Sequence, residues 1–229
     1  MRGRVVLLLL GLSSGFGLPA IADVNHALGL SVVQVIAYPA SGKVLFGSGV
    51  VVGADRVATN CHVTRYARAI VVSKGALRHA VASQQADPAR DLCLLETPGM
   101  QIPAAHLGAA ANLVVGEPLY LYGYPRALGI AFSKGRVEAL HPYEGSLIIE
   151  TSADFTLGAS GGGMFDDKGQ LVGLATFLTA GHAGHYYAIP VDWISALTKA
   201  SARKIEPLGG VSFWENTPSL PAFLKAPGR

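Results

Sequence analysis

Apolar positions along the chain cluster in short runs rather than in long periodic stretches. VVQVIAYPA, KVLFGSGVVVG, AIVVS, DLCLLET, EPLYLYGYP, SLIIETS, QLVGLAT and HYYAIP are β-branched or aromatic, and glycine, proline and polar residues separate them. Short strands at this spacing predict an all-β sandwich or a pair of barrels. One segment differs. VDWISALTKASARK, residues 191–204, places Trp193, Ile194 and Leu197 on a common helical face, which predicts a C-terminal helix. Residues 205–229 then turn rich in proline and glycine, and the Phe213-Trp214 pair offers a means of docking that tail on the surface. No internal repeat of fixed period is visible.

The N-terminus changes the picture of length. MRGR is basic, VVLLLLGLSSGFGL is apolar, and Ala20-Ile21-Ala22 is a small-residue cleavage site. Together they read as a secretory signal peptide over 1–22, with the glycines and serines interrupting the run too early for a membrane span. The whole chain, at 50% hydrophobic and 14% charged over 229 residues, suits a compact body with a large core. Loss of Arg2 and Arg4 leaves 16 of the 18 basic residues against 15 acidic ones, a formal charge of +1. Lys and Arg are scattered singly, without an aromatic-interleaved basic stripe, so no nucleic-acid partner is expected.

Candidate chemistry starts at Ser160. In TLGASGGGMFDDKGQLVGLAT, residues 156–176, the serine is followed by three glycines and preceded by Gly158 and Ala159. Glycine costs conformational entropy, so such a cluster is either a loose turn or a backbone shaped to expose its amides beside a nucleophile. GASGG also satisfies the nucleophile-elbow pattern. That pattern needs a helix directly after the serine, whereas GGMF, the turn DDKG and QLVGLAT read as strand, turn and strand. Asp166, Asp167, His182 and His185 also crowd too near the serine to serve as an elbow's acid and base. Upstream, VVGADRVATNCHVTR carries His62 after an apolar strand, and ARDLCLLET carries Asp91 at the head of another. A serine hydroxyl needs a base whose pKa lies near neutrality, and the imidazole in turn needs a buried carboxylate to fix its tautomer. Asp87 is the rival acid, but ADPAR is turn-like and lacks the burying strand.

TNCHV, DLCLLE and GASGGGMFDDKGQLVGLAT, in that order, resemble the three signature segments of the trypsin/chymotrypsin superfamily of serine proteases, most closely its bacterial HtrA-type branch. VGEPLYLYGYP, SKGRVEAL and YYAIPVDWI extend the resemblance over roughly residues 30 to 200. The resemblance implies two six-stranded antiparallel β-barrels of chymotrypsin type, one over about 30–112 and one over about 113–190, then the helix over about 191–204 and the tail over 205–229. It implies a triad of His62, Asp91 and Ser160, an oxyanion hole from the amides of Gly158 and Ser160, and exported endopeptidase activity on protein or peptide substrates, with no cofactor. Digestive relatives carry aspartate directly before the serine. Here that position is Ala159, so no propeptide-dependent switch is expected. HtrA-type relatives commonly add a PDZ domain, for which the residues after the helix are too few.

Further readings follow from that resemblance. Asp154 lies where trypsin-like enzymes place the carboxylate of the primary pocket, although this loop is built differently in the HtrA-type branch and a solvated aspartate fits equally. Thr176, Phe177 and Leu178 align with the strand that pairs with substrate, and Leu178 narrows the pocket entrance. Contact between His62 and Asp91 would bring Cys61 and Cys93 together as a disulfide in an oxidising compartment, periplasmic or secreted; two buried thiols are the other possibility. The pair of histidines in HAGH, residues 182–185, lacks further ligands nearby, so no metal site is expected. His26, His79, His106 and His141 read as ordinary histidines. A catalytically silent, protease-like binding protein is the alternative function.

Overall fold

In the computed structural model of the chain, the described residues are 27–179 and 185–225. The expected signal peptide and His182 lie outside them. Thirteen strands dominate the described residues. In the first half they are β1 (Val32–Pro39), β2 (Leu45–Gly53), β3 (Arg56–Asn60), β4 (Ala67–Lys74), β5 (Leu77–Ala80), β6 (Ser83–Asp87) and β7 (Leu92–Glu96). In the second they are β8 (Pro118–Gly123), β9 (Ala131–Tyr143), β10 (Ser146–Thr151), β11 (Gly163–Phe165), β12 (Leu171–Thr179) and β13 (His185–Pro190).

The second half is a closed antiparallel barrel in the order β10-β13-β12-β11-β8-β9. The first is a seven-stranded sheet, β5-β4-β1-β2-β3-β7-β6, where a six-stranded barrel is expected. The difference has a local cause. Only Val81 and Ala82 separate β5 from β6, and their N–H groups donate to Ile70 O on β4 at 3.0 Å and Glu96 O on β7 at 2.8 Å. β5 and β6 are two halves of one strand, bent so that it pairs with β4 at one end and β7 at the other.

Alternation along the strands sorts the side chains into layers. Val33, Val35 and Ala37 of β1 point into the first-half core with Val57, Ile70, Val72 and Leu95. Leu119 and Leu121 of β8 fill the second barrel with Val137, Ile149 and Met164. The opposite faces are buried as well. Val32, Val50, Ala58, Leu92 and Leu94 from the first half meet Tyr122, Ile148, Phe165, Leu174 and Ile189 from the second in one shared cluster. The connector between halves is tied to both, with Ala105 N–H on Val51 O and Gly108 N–H on Leu171 O, each 2.8 Å.

The expected helix over 191–204 is shorter than its pattern suggests. A 3-10 turn, Val191–Trp193, leads into a single α-helical turn, Ile194–Leu197. Beyond it, Arg203 exchanges backbone hydrogen bonds with Gln84 of β6 at 2.8 and 2.9 Å. Pairing with a sheet edge ends the helix. The tail lies along the surface: Leu208 N–H donates to Arg65 O at 2.7 Å, Phe213 N–H donates to Ala89 O at 2.9 Å, and Phe223 stacks on His141 at 4.4 Å.

Candidate active site

β3 and β7 run antiparallel with Asn60 opposite Leu92, and the ladder continues by one bond, Cys61 N–H to Asp91 O at 3.1 Å. The residue just after β3 and the residue just before β7 are thereby brought side by side. After Asn60 the chain turns into α1 (Cys61–Thr64), which carries His62 over the end of the ladder. Asp91 closes the turn begun at Pro88 and adopts φ +58°, a left-handed conformation that aims its side chain back toward α1. Non-glycine residues in this region cost energy and gather at functional sites.

The pair is tight. His62 Nδ1 lies 2.7 Å from Asp91 Oδ2, and His62 backbone N–H donates to Asp91 Oδ1 at 2.8 Å. Asp91 is 0% exposed, so its charge depends on these donors for solvation. Asp87 takes no part. Its carboxylate accepts from the Arg90 N–H at 3.2 Å and pairs with the Arg90 guanidinium, which caps the turn.

Ser160 comes from the second half, in the loop before β11. Its hydroxyl donates to Thr176 O at 3.3 Å, and among the described residues it makes no bond to His62. The loop is set by main-chain contacts with the first half: Ser48 N–H donates to Ser160 O at 2.7 Å, and Ser48 Oγ donates to Gly158 O at 2.8 Å. Gly158 has φ +94° and Gly161 φ +83°. A side chain on Gly161 would sit 2.1 Å from Ser48 O, so only glycine fits there. Leu157 O accepts from Arg126 N–H at 2.9 Å and Ala159 N–H is spent on Thr156 O at 3.0 Å. The N–H groups of Gly158 and Ser160 have no acceptor among the described residues.

The remaining predicted residues divide. Thr176 is buried and central, accepting from Asn60 Nδ2 at 3.1 Å and donating to Leu174 O at 2.7 Å. The same Asn60 amide reaches Asp91 O at 3.1 Å, so one side chain ties both halves together behind the site. Phe177 is buried, and Leu178 is 51% exposed beside it. Asp154 accepts from Ser133 Oγ at 2.6 Å and borders a cleft shared with Leu121, Phe132, Phe155, Thr156 and Ala159, the residue directly before Ser160. Cys61 and Cys93 are joined as a disulfide, Cα to Cα 5.0 Å, with Leu208 of the tail against them.

Sequence reasoning overlooked Trp214 at this site. Its indole N–H donates to Asp91 Oδ2 at 3.0 Å, its ring meets His62 edge-on at 5.5 Å and stacks on Phe177 at 5.0 Å. Its neighbour Glu215 pairs with Arg65. That contact holds the Arg65 guanidinium above its ordinary pKa. Burial pushes the Glu215 carboxyl up, but hydrogen bonds from Arg65 and Ser212 outweigh it and leave the group below the usual range. The only sequence signal was the adjacent aromatic pair.

His185 is engaged elsewhere, with Nδ1 2.5 Å from Glu150 Oε1, while His141 Nε2 lies 2.7 Å from Glu150 Oε2. Burial raises the Glu150 pKa but the two imidazoles outweigh it. The adjacent Tyr187 is pushed up to about 12, chiefly by burial. Among the described residues, no group of three or more His, Cys, Asp or Glu is arranged to hold a metal ion.

Comparison with known proteins agrees with this geometry. The profile of the family described as trypsin-like peptidase domain matches residues 47–174, a span that contains His62, Asp91 and Ser160. The chain belongs to the trypsin-like peptidase family. A protein of Pseudomonas putida named "Probable periplasmic serine endoprotease DegP-like" is 32% identical over 159 residues, covering 64% of this chain and 32% of the relative. This trypsin-like chain therefore spans about a third of the length of such curated relatives. Among solved structures, the Rv3671c protease of M. tuberculosis in its active form superimposes with a TM-score of 0.74 at 23% identity, over 91% of this chain and 99% of that one. The HtrA-type protease AlgW with a tripeptide gives 0.68 at 24% identity, over 76% and 62%. These likenesses show the shared trypsin-like fold. AlgW is named as a member of the HtrA-type branch that the three sequence segments resemble.

Proposed function

We propose that the protein is an exported serine endopeptidase that cleaves peptide bonds through His62, Asp91 and Ser160. The observation that carries this reading is the bond from His62 to the fully buried Asp91, linked through Asn60 and Thr176 to a serine whose own N–H and that of Gly158 have no acceptor among the described residues. The reaction requires the Ser160 hydroxyl to leave Thr176 O and bond to the imidazole. His62 would take the hydroxyl proton as Ser160 Oγ attacks the scissile carbonyl carbon. Asp91 would hold the imidazolium that forms, and the N–H groups of Gly158 and Ser160 would hold the negative oxygen. Return of the proton to the leaving amine expels it and leaves an acyl-enzyme. Water, activated by the same imidazole, then hydrolyses the ester.

Thr176, Phe177 and Leu178 are the residues proposed to receive substrate, along the open side of β12. Asp154, bonded to Ser133 in a cleft that Ala159 also lines, is proposed to border the primary pocket. Export is supported by the basic, apolar and small-residue pattern of 1–22, by the disulfide and by the name of the Pseudomonas relative, a periplasmic endoprotease. No helix among the described residues is long and apolar enough to cross a membrane.

One observation favours a second reading, a silent protease-like binding protein: the Ser160 hydroxyl bonds to Thr176 O instead of His62. Fluorophosphonate labelling separates the two. Labelling of the wild type that disappears in Ser160→Ala supports the peptidase. A wild type that resists the probe at neutral pH supports the scaffold.

A further inference from the structure

We propose that Trp214 is a positioning residue for the Asp91–His62 pair, supplied by the segment that follows the barrels. The proposal rests on the peptidase reading above and adds to it a part that the three signature segments do not contain.

The argument begins with the carboxylate. Asp91 is fully buried, and among the described residues the donors to its carboxylate number three: His62 N–H on Oδ1, and His62 Nδ1 with Trp214 Nε1 on Oδ2. Two of the three come from the residue that must change its protonation during the reaction. The indole is different, because its N–H only donates and does not titrate. It therefore keeps the same bond to Oδ2 whichever state His62 is in, and it fixes the carboxylate plane against which the imidazole is aligned. The other charged groups near the pair are Arg65 and Glu215, which neutralise each other, and Asp87 with Arg90, which are paired in the turn before Asp91.

The indole itself is held on two sides. Its ring lies on Phe177 of β12, one residue beyond the Thr176 whose carbonyl accepts from Ser160. Trp214 thus touches the acid-base pair of the first half and the strand beside the serine in the second. The segment that carries it is fastened to the same two turns that carry His62 and Asp91. Arg65, three residues after His62, donates to Ser212 Oγ at 3.1 Å and pairs with Glu215, and Ala89, two residues before Asp91, accepts from Phe213 N–H at 2.9 Å. Phe213 anchors the whole in the core, 6% exposed and 4.7 Å from Tyr143.

The decisive test replaces Trp214 with 3-benzothienylalanine, which keeps the bicyclic shape and exchanges the N–H for sulfur; Trp214→Phe is the accompanying variant. Losing one hydrogen bond to a buried charged group is expected to slow reaction of Ser160 with an alkyl fluorophosphonate roughly tenfold or more. The peptide KM should stay within about twofold, since positioning acts on the chemical step. The proton shared between His62 Nδ1 and Asp91 Oδ2 should move in the far-downfield proton NMR spectrum. In the protein with its natural tryptophan, the indole N–H resonance of Trp214 should shift on Asp91→Asn, a measurement that needs no change at position 214.

Wild-type rate with an unmoved downfield proton in the benzothienyl variant would overturn the proposal and leave the peptidase reading intact. So would faster reaction in both variants, which would make the indole a plug in the cleft. A wild type unreactive toward the probe, indistinguishable from Ser160→Ala, would remove the peptidase reading and this proposal with it.

Discussion

The two halves of the site are held in place by different kinds of bond. On the first-half side, His62 and Asp91 are fixed by side chains: a carboxylate–imidazole bond, an indole N–H, the Asn60 amide and a disulfide next door. On the second-half side, Ser160 and Gly158 are fixed through their own main chain, by left-handed glycines and by carbonyls that accept from the N–H and the hydroxyl of Ser48. Side-chain fixation is chemically adjustable, by pH, by reduction or by displacement of a covering segment. Main-chain fixation is steric and admits no such adjustment. The structure thus separates a part of the site that conditions can tune from a part that only replacement of a residue can alter.

The sharpest way to break that contrast is at the carboxylate. Asp91→Asn keeps the shape but offers the imidazole the wrong partner, and kcat for peptide hydrolysis should fall by about 10⁴-fold with the fold intact. A fall below tenfold, with circular dichroism unchanged, would mean that the acid-base pair does not direct the chemistry. On the main-chain side the corresponding change is Gly161→Ala. Its new carbon would meet Ser48 O at 2.1 Å and Thr59 Oγ1 at 2.5 Å on a backbone at φ +83°. A stability loss of about 4 kcal/mol is expected, among the largest for a single substitution. Thermal unfolding measures it, and a variant within a degree or two of wild type would show that this loop moves aside after all.

How much of this was legible in the chain depends on whether the signal is local. TNCHV, DLCLLE and the run around Ser160 carry strand alternation and turn residues in their own sequence, so the fold type and the meeting of His62 with Asp91 follow from short patterns that the β3–β7 register then joins. What escaped is what depends on distant partners. The bend that splits β5 from β6 is set by where Val81 and Ala82 find acceptors on β4 and β7. The helix after β13 has a good apolar stripe, yet it stops early because Arg203 pairs with Gln84. Trp214 sits 123 residues from Asp91, and no spacing rule links an indole in a proline-rich tail to a carboxylate in the first half. Asp154 has a distant partner too: the hydroxyl that bonds its carboxylate is that of Ser133, 21 residues away on β9.

The disulfide sharpens the contrast from the adjustable side. Cys61 precedes His62 and Cys93 follows Asp91 by two, and the bonded pair is 32 positions apart in the sequence. A closed loop of that length contributes about 3–4 kcal/mol in the chain-entropy model. The double variant Cys61→Ser, Cys93→Ser should lower Tm by roughly ten degrees, since about 2–4 degrees accompany each kcal/mol in a domain of this size. Activity below the new Tm should fall as well, because the lost bond lies beside both members of the pair. A variant with wild-type Tm would show that the packing of Leu208 and the β3–β7 ladder suffices.

The smallest expected effect is the docking of the tail at acid pH. Glu215 is held below the usual carboxylate range because hydrogen bonds from Arg65 and Ser212 outweigh the cost of its burial. A depressed carboxylate stabilises the folded form fully above its unfolded value, near 4.3, and that contribution is lost as pH falls through the lower folded value. Arg65, raised by the same contact, would lose its share only at alkaline pH beyond any working range. With both groups partly open to water, the contribution is about 1 kcal/mol after screening. Trp214 reports it directly: its fluorescence should change between pH 5 and pH 3 before the barrels unfold, and Glu215→Gln should remove that step. A tryptophan signal that moves only with global unfolding would mean that Phe213 alone holds the segment in place. The tail would then be fixed as firmly as the serine loop, by packing instead of charge, and the adjustable part of the site would shrink to the imidazole and its disulfide.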